Sequence, residues 1–520
     1  MKKILFLIQF FFLFVSCQTD MNPIVIEEPT SIKYDSVHVL HIKALLKENK
    51  GVLKDIEAEI GSDGSVVFRS PYITDVRSIK LRIETDGGGI FVRESKVNNG
   101  EFFECDLTDP LEICTDAQTP QRYTITAIYS GLPVVEIHTP NEEEILNKDK
   151  WIENSTIRII KPNGEIDLES AMSVKARGNA TFRLEKKGYS LKLDNKSEVL
   201  GMSQNKRWVL LANAVDKSLI RNALGLEISR LTCMQWTPRG TFVELVINGE
   251  HRGNYFLCES IKIGKNRVNV KDLQDGDKLT GGYVLEVDSH YDEDYKFKSP
   301  IKNLPYMFHD PDKISNLQYE YIRDYIAQTE NAIYDDILFA DEKYLEYIDL
   351  DTFADWWIAT EITQNHEPNE PNSVFMNKDQ GEKLKMGPVW DFDVYTFNST
   401  FRLDTLAIRN ALYYDKLFES PAFIRKLKER WMVLKPQYES QIPAYITEIS
   451  TKIEPSVKLN YYLWPYKWEI DASNIDWTTP DNILSWMDSY TSYEDAIDKI
   501  NSSFMKKLRN LDLFITHLSD

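Results

Sequence analysis

The stretch that decides the architecture runs from Asp351 to Asp393. It opens with Phe353-Ala354-Asp355-Trp356-Trp357-Ile358-Ala359-Thr360-Glu361-Ile362, passes through Asn365-His366-Glu367-Pro368-Asn369-Glu370-Pro371-Asn372, and ends in Gly387-Pro388-Val389-Trp390-Asp391-Phe392-Asp393. The first segment has helical periodicity with Asp351 placed as its cap. The second is a polar loop. Between loop and terminus lie two short runs, Ser373 to Lys378 and Lys383 to Met386, which read as strands joined by a turn at Gly381.

Working outward from there, residues 132 to 350 read as mixed α/β. Strands are expected at Pro133–Ile137, Ser173–Ala176, Tyr189–Leu193, Trp208–Ala212 and Phe242–Ile247. A helix is expected from Lys217 to Arg230, capped by Asp216 and apolar almost all round, hence buried. Beyond about 416 amphipathic helices follow, such as Phe423–Leu434 and Tyr493–Leu513, which read as a helical lobe.

Upstream, residues 33–131 show short alternating runs such as Ser65-Val66-Val67-Phe68 and Ile79-Lys80-Leu81-Arg82-Ile83, separated by turn residues, the pattern of a small β-sandwich. The segment resembles the immunoglobulin-like domains that follow the lipid anchor in surface lipoproteins of the Bacteroides type, and no cluster of catalytic residue types lies in it, so it reads as a spacer. The fold class is therefore α+β.

Residues 1–16 have the order of an export signal: Lys2-Lys3, an apolar run from Ile4 to Val15, then Ser16. The run is too short to span a bilayer. Cys17, followed by Gln18-Thr19-Asp20, resembles the acylated cysteine of bacterial lipoproteins, with Phe14 where such signals usually carry leucine. Residues 17–32 then form a polar, proline-containing stalk. The expected address is the cell envelope, with the outer membrane held through lipid only.

The chain has 520 residues and a net charge of −20, which becomes −22 without Lys2 and Lys3. That surface disfavours nucleic acid and anionic lipid and suits divalent cations. Cys105 and Cys114 are close enough in sequence for a disulfide. Cys233 and Cys258 sit among apolar neighbours and read as buried thiols. No cysteine or histidine spacing suggests a zinc site.

A helix, a polar loop bearing a carboxylate and an asparagine, a hairpin and an acidic tripeptide form the order in which protein kinases arrange their catalytic parts. Asn372, Asp391 and Asp393 supply oxygen ligands of the kind Mg²⁺ takes. If Trp390–Asp393 is extended, the two aspartates project to one side. Further motifs stand upstream, in order: Arg177-Gly178-Asn179-Ala180-Thr181, Lys186-Lys187-Gly188-Tyr189-Ser190-Leu191-Lys192-Leu193, Lys206-Arg207-Trp208-Val209-Leu210-Leu211-Ala212-Asn213 and Asp216-Lys217-Ser218-Leu219-Ile220-Arg221-Asn222.

With Trp390-Asp391-Phe392-Asp393, these motifs make residues 132–520 resemble the CotH family of atypical kinase-like proteins. The resemblance implies a divergent kinase fold using ATP and Mg²⁺ to phosphorylate protein hydroxyls. It implies that Lys187 or Lys192 steadies the nucleotide phosphates with Arg177 nearby, that Glu227 orients the lysine, and that Glu367 stands for the catalytic base beside Asp391. Glu367 occupies the place where kinases carry aspartate, the tripeptide lacks the kinase glycine, and no glycine-rich loop precedes the lysines. These departures leave open a second reading, a catalytically silent surface module that binds a protein or glycan. The aromatic run Tyr461-Tyr462-Leu463-Trp464-Pro465-Tyr466-Lys467-Trp468 either packs a helix junction or stacks on sugar rings.

Overall fold

A computed structural model of the protein describes residues 34–274, 277–400, 403–466 and 488–519. The export-like segment, Cys17, the stalk and Trp468 lie outside them. Among the described residues no helix is long and apolar enough to cross a membrane.

The first hundred described residues form two sheets over one core. A four-stranded sheet has the order Ile56–Glu57, Val39–Ala44, Ile79–Thr85, Phe102–Cys105; a six-stranded sheet has Glu59–Ile60, Ser65–Ser70, Arg122–Tyr129, Leu111–Thr115, Ile90–Val92, Ser95–Val97. Strict alternation drives the arrangement: Ile79, Leu81, Ile83 and Thr85 point inward, and the residues between them are exposed or half-buried. Cys105 and Cys114 fall in opposite sheets and both thiols are free, which corrects the expected disulfide. Closeness in sequence placed them on strands that face different partners, Ile79 for Cys105 and Phe91 and Arg122 for Cys114. Cys258 is buried as expected, whereas Cys233 is exposed.

The sandwich leans on the rest of the chain. Tyr72 donates to Glu136 (2.7 Å), Thr74 donates to the Pro162 carbonyl (2.9 Å), and the Arg69 guanidinium lies 3.7 Å over the Tyr462 ring. The aromatic run therefore packs a junction: Trp464 donates to the Arg252 carbonyl (3.0 Å), and the Tyr461 and Tyr466 rings meet at 5.1 Å.

Seven strands next close a barrel in the order Val134–His138, Ile152–Ile160, Ile166–Arg177, Gly188–Val199, Met202–Leu211, Glu250–Glu259, Gly240–Ile247. Inward residues such as Ile159, Leu191, Leu210 and Leu245 fill it. Val209, Phe242, Phe256 and Cys258 on its other face join the main core, which includes the helix Arg221–Arg230. That helix starts four residues later than its sequence suggests, because Asp216 caps a preceding turn: its carboxylate accepts the N–H groups of Ser218 (2.9 Å) and Arg221 (2.8 Å).

A five-stranded antiparallel sheet follows, ordered Lys296–Lys298, Pro305–Asp310, Tyr283–Val287, Val374–Lys378, Leu384–Met386. Against it packs the helix Leu350–Ile362, buried at every position from Thr352 onward, as its all-round apolarity requires. Its cap is Asp349, which accepts from Thr352 N–H (3.0 Å); Asp351 instead pairs with Lys426. Two carboxylates inside the helix are matched. Asp355 takes both arms of Arg430 (2.7 and 2.8 Å), and Glu361 accepts from Ala407 N–H, Ile408 N–H and Lys507.

The helix expected at Phe423–Leu434 continues from Pro421 to Leu463 through Pro436, Pro443 and Pro455. Proline ordinarily interrupts a helix. Here the buried stripe Leu427, Trp431, Leu434, Tyr438, Ile442, Ile446, Ile449 and Ile453 keeps the segment pressed to the core. The last helix, Tyr493–Thr516, packs alongside.

Candidate functional site

Leu384–Met386 delivers the chain to Trp390–Asp393 through Gly387, whose φ of 100° only glycine adopts easily. The tripeptide is not extended. Asp391 has φ 64°, a left-handed conformation that aspartate tolerates at some cost, and its carboxyl hydrogen-bonds that of Asp393. Burial and the Asp391 charge hold Asp393 well above the usual carboxylate range, and burial also raises Asp391.

Most of the Asp216–Asn222 motif braces this loop. Asn222 Oδ1 accepts the Phe392 N–H (2.9 Å) while its amide donates to Asn213 (3.0 Å); Arg221, paired with Asp216, donates to the Thr396 carbonyl (2.9 Å). From the other side Asn365 donates to the Asp391 carbonyl (3.0 Å). The Phe392 ring lies on Gly225 so closely that a Cβ there would meet it at 2.3 Å.

Glu367 starts a short turn, Glu367–Asn369, and its N–H is held by Asn365 Oδ1 (3.2 Å). Its carboxyl is pushed well above the usual range by burial and then by Asp391, Asp393 and Asp288. Asp288, which sequence reasoning did not single out, is thus a fourth carboxyl of the cluster. One of its oxygens accepts from His290 N–H and the His290 ring, and the other accepts from Ser373 N–H (2.9 Å), fixing Ser373 at φ 52° directly after Asn372. Asn372 Oδ1 accepts from Ser289 Oγ. The only sequence trace of this arrangement is an aspartate closing an apolar strand about eighty residues upstream of the loop.

Arg177 is the cation that both aspartates feel. It ends a barrel strand, lies 5.3 Å from the Trp390 ring centroid, and keeps a buried Nη1 with no hydrogen-bond partner. Of the two lysines expected here, one is engaged in its own turn and the other is exposed. Lys187 donates to the carbonyls of Phe182 and Leu184 (3.0 Å each), closing the turn after Gly178, and Lys192 is exposed. Glu227 pairs with Arg230 one turn along its own helix. A cation that sequence reasoning did not single out, Lys175, lies two residues before Arg177 and on the same strand face. It lies 5.2 Å over the Trp151 ring, which Arg207 approaches at 5.1 Å, and burial lowers its pKa from the ordinary value.

Residues 174–510 match the sequence profile of the CotH kinase protein family. The chain belongs to the CotH family. The match begins one residue before Lys175 and takes in every carboxyl and cation of this site, while the two-sheet segment and the first two barrel strands precede it. No curated protein matches the chain.

A CotH-type reaction implies nucleotide and metal. Among the described residues no group of three His, Cys, Asp or Glu side chains is arranged to hold a metal alone. That is compatible with Mg²⁺, which is usually held by one or two carboxylates, with waters and phosphates completing its shell. Asp391 and Asp393, with only Arg177 as the cation acting on both and with Glu367 and Asp288 close by, are a donor set that a divalent cation would relieve, so the residues fit the group.

Proposed function

We propose that the protein is an exported, lipid-anchored kinase-like enzyme that uses Mg²⁺ and ATP to phosphorylate a hydroxyl of another protein. The observation that carries this reading is the hydrogen-bonded Asp391–Asp393 pair beside an arginine with an unpartnered buried N–H. Asp391 and Asp393 would hold the metal, with Asn372 at the loop edge; the bound ion would supply charge neutralisation at the transferred group. Arg177, with Lys175 on the same face, would meet the nucleotide phosphates. Burial first, and then Asp391, Asp393 and Asp288, raise the Glu367 carboxyl, and a cation held by the aspartates would lower the second contribution. Glu367 would be the carboxyl that accepts the hydroxyl proton in its ionised form.

The address rests on Cys17 and the run before it, with residues 33–131 as an immunoglobulin-like module and residues 132–520 as the kinase-like part. Labelled palmitate should mark the protein in growing cells and fail to mark Cys17→Ala.

Incubating the full chain with labelled ATP and Mg²⁺, beside Asp391→Ala and Asp393→Ala, tests the activity. Transfer should fall by two orders of magnitude or more in each variant. Equal labelling in all three removes these carboxylates from the mechanism.

A second reading is favoured by Glu367, whose extra methylene displaces the carboxyl relative to an aspartate base: a silent module that binds a surface ligand on the same fold. It predicts no stabilisation by Mg·ATP, so a clear thermal shift counts against it.

A further inference from the structure

Beside the Glu367 loop lies a cavity of about 570 Å³, within the range of ligand pockets. Its wall includes Pro368 and Asn369, the two residues after Glu367, and Ser289, which adjoins Asp288 and donates to Asn372. It adjoins the backbone of the loop that carries the proposed base, whose own side chain is not part of the wall. Its chemistry is opposite to that of the chain. The protein carries 81 acidic against 61 basic residues, yet this cavity has no acidic side chain in its lining and two lysines, Lys298 and Lys302.

The two lysines differ. Lys302 is matched, donating to Asp415 (2.8 Å), which also accepts from Tyr334 (2.7 Å). Lys298 ends the edge strand Lys296–Lys298, is exposed, and has no ion pair among the described residues. Asn303 and Asn410 line the same space and are also exposed. Their side-chain amides offer a donor and an acceptor each, the pairing a peptide backbone needs. Unmatched positive charge and amide groups, with little aromatic surface, suit an acidic polypeptide rather than a sugar ring.

We propose that this cavity is the acceptor site, and that it takes a hydroxyl-bearing polypeptide segment flanked by acidic residues, the flanking carboxylate meeting Lys298. The inference rests on the phosphotransfer reading for its consequence, since an acceptor site matters only if a phosphoryl group is transferred. Its binding step is measurable without that reading.

The test uses the full chain and two fluorescein-labelled peptides, one serine flanked by glutamates and the same serine flanked by lysines, followed by fluorescence anisotropy. The acidic peptide should bind, the basic one should not, and Lys298→Glu should weaken acidic-peptide binding about tenfold, because like charges then face each other. Lys298→Gln, a milder change at an exposed position, should fall between them. Calorimetry with Mg·ATP is run on the same samples. Acidic-peptide binding that depends on Lys298 supports the acceptor site even where Mg·ATP fails to bind, an outcome that sinks only the phosphotransfer reading. Preference for the basic peptide, insensitivity to both substitutions, or binding of an acidic oligosaccharide in place of either peptide overturns it.

Discussion

Replacing Gly225 by alanine tests whether the helix Arg221–Arg230 positions the acidic loop. A Cβ at Gly225 would stand 2.3, 2.5 and 2.6 Å from Cγ, Cδ2 and Cδ1 of Phe392. Carbon atoms rest at roughly 3.5–4.0 Å, so the ring must retreat by roughly 1.2 Å. It has little room, being 1% exposed within the main core, with its N–H held at 2.9 Å by Asn222. Overpacking of this kind costs about 1–3 kcal/mol, offset by up to about 1 kcal/mol gained when alanine replaces glycine in a helix. The net loss should be about 1–2 kcal/mol in urea denaturation.

The larger effect is expected at the site. Asp391 and Asp393 flank Phe392, and a misplacement of about 1 Å is worth roughly a hundredfold in rate. Mg·ATP affinity and phosphotransfer should therefore fall far more than the stability change explains. Adding Phe392→Leu should restore part of both, since the smaller side chain relieves the same contact. Wild-type stability and wild-type Mg·ATP affinity in Gly225→Ala would refute the reasoning, because they would mean that the ring moves without carrying its neighbours.

Three further outcomes concern buried groups and thiols. Lys507→Ala leaves Glu361 charged beneath Ala407 and Ile408 without its cation, and should cost about 3–5 kcal/mol, read from the urea midpoint. Lys186 is fully enclosed, donating to the Asn254 carbonyl (2.6 Å) and Asn460 Oδ1 (2.8 Å), and burial lowers its pKa to about 7. Between pH 7 and the ordinary lysine value the unfolded chain therefore binds more protons than the native one. Native stability should rise across that window by about 1.4 kcal/mol per pH unit relative to Lys186→Met, and parallel curves would contradict it. Alkylation without reductant, followed by mass spectrometry, should label both Cys105 and Cys114 in the unfolded chain, and a linked peptide would place the two sheets differently.

What the sequence made legible was what repeats locally. The helix Leu350–Ile362 and the hairpin after it follow from helical periodicity and from a glycine turn, both of which are local signals. The barrel strands around Ala176, Leu191, Leu210 and Leu245 announce themselves by alternation for the same reason. The cysteine pairing failed because nine residues of separation say nothing about which sheet each strand joins. The long helix was read short because proline penalises a helix locally, while eight buried side chains along one face decide the matter globally.

The site shows the same division more sharply. Residue type identified Asp391, Asp393, Glu367 and Arg177, and the structure brings them into one electrostatic cluster. Geometry was not readable: an extended tripeptide would have set the aspartates on one side of a strand, whereas Asp391 is left-handed and each carboxyl acts on the other. A motif cannot say where an amine ends: Lys187 finds two carbonyls within its own turn. Asp288 required knowledge of a strand pairing, since Tyr283–Val287 lies next to Val374–Lys378 and so meets the loop from about eighty residues away. The misread positions share one property. Each is a polar group whose partner, near in the chain for Lys187 and Glu227 and far for Asp288, is not set by residue type, and charge clusters of that kind are where local pattern and function part company.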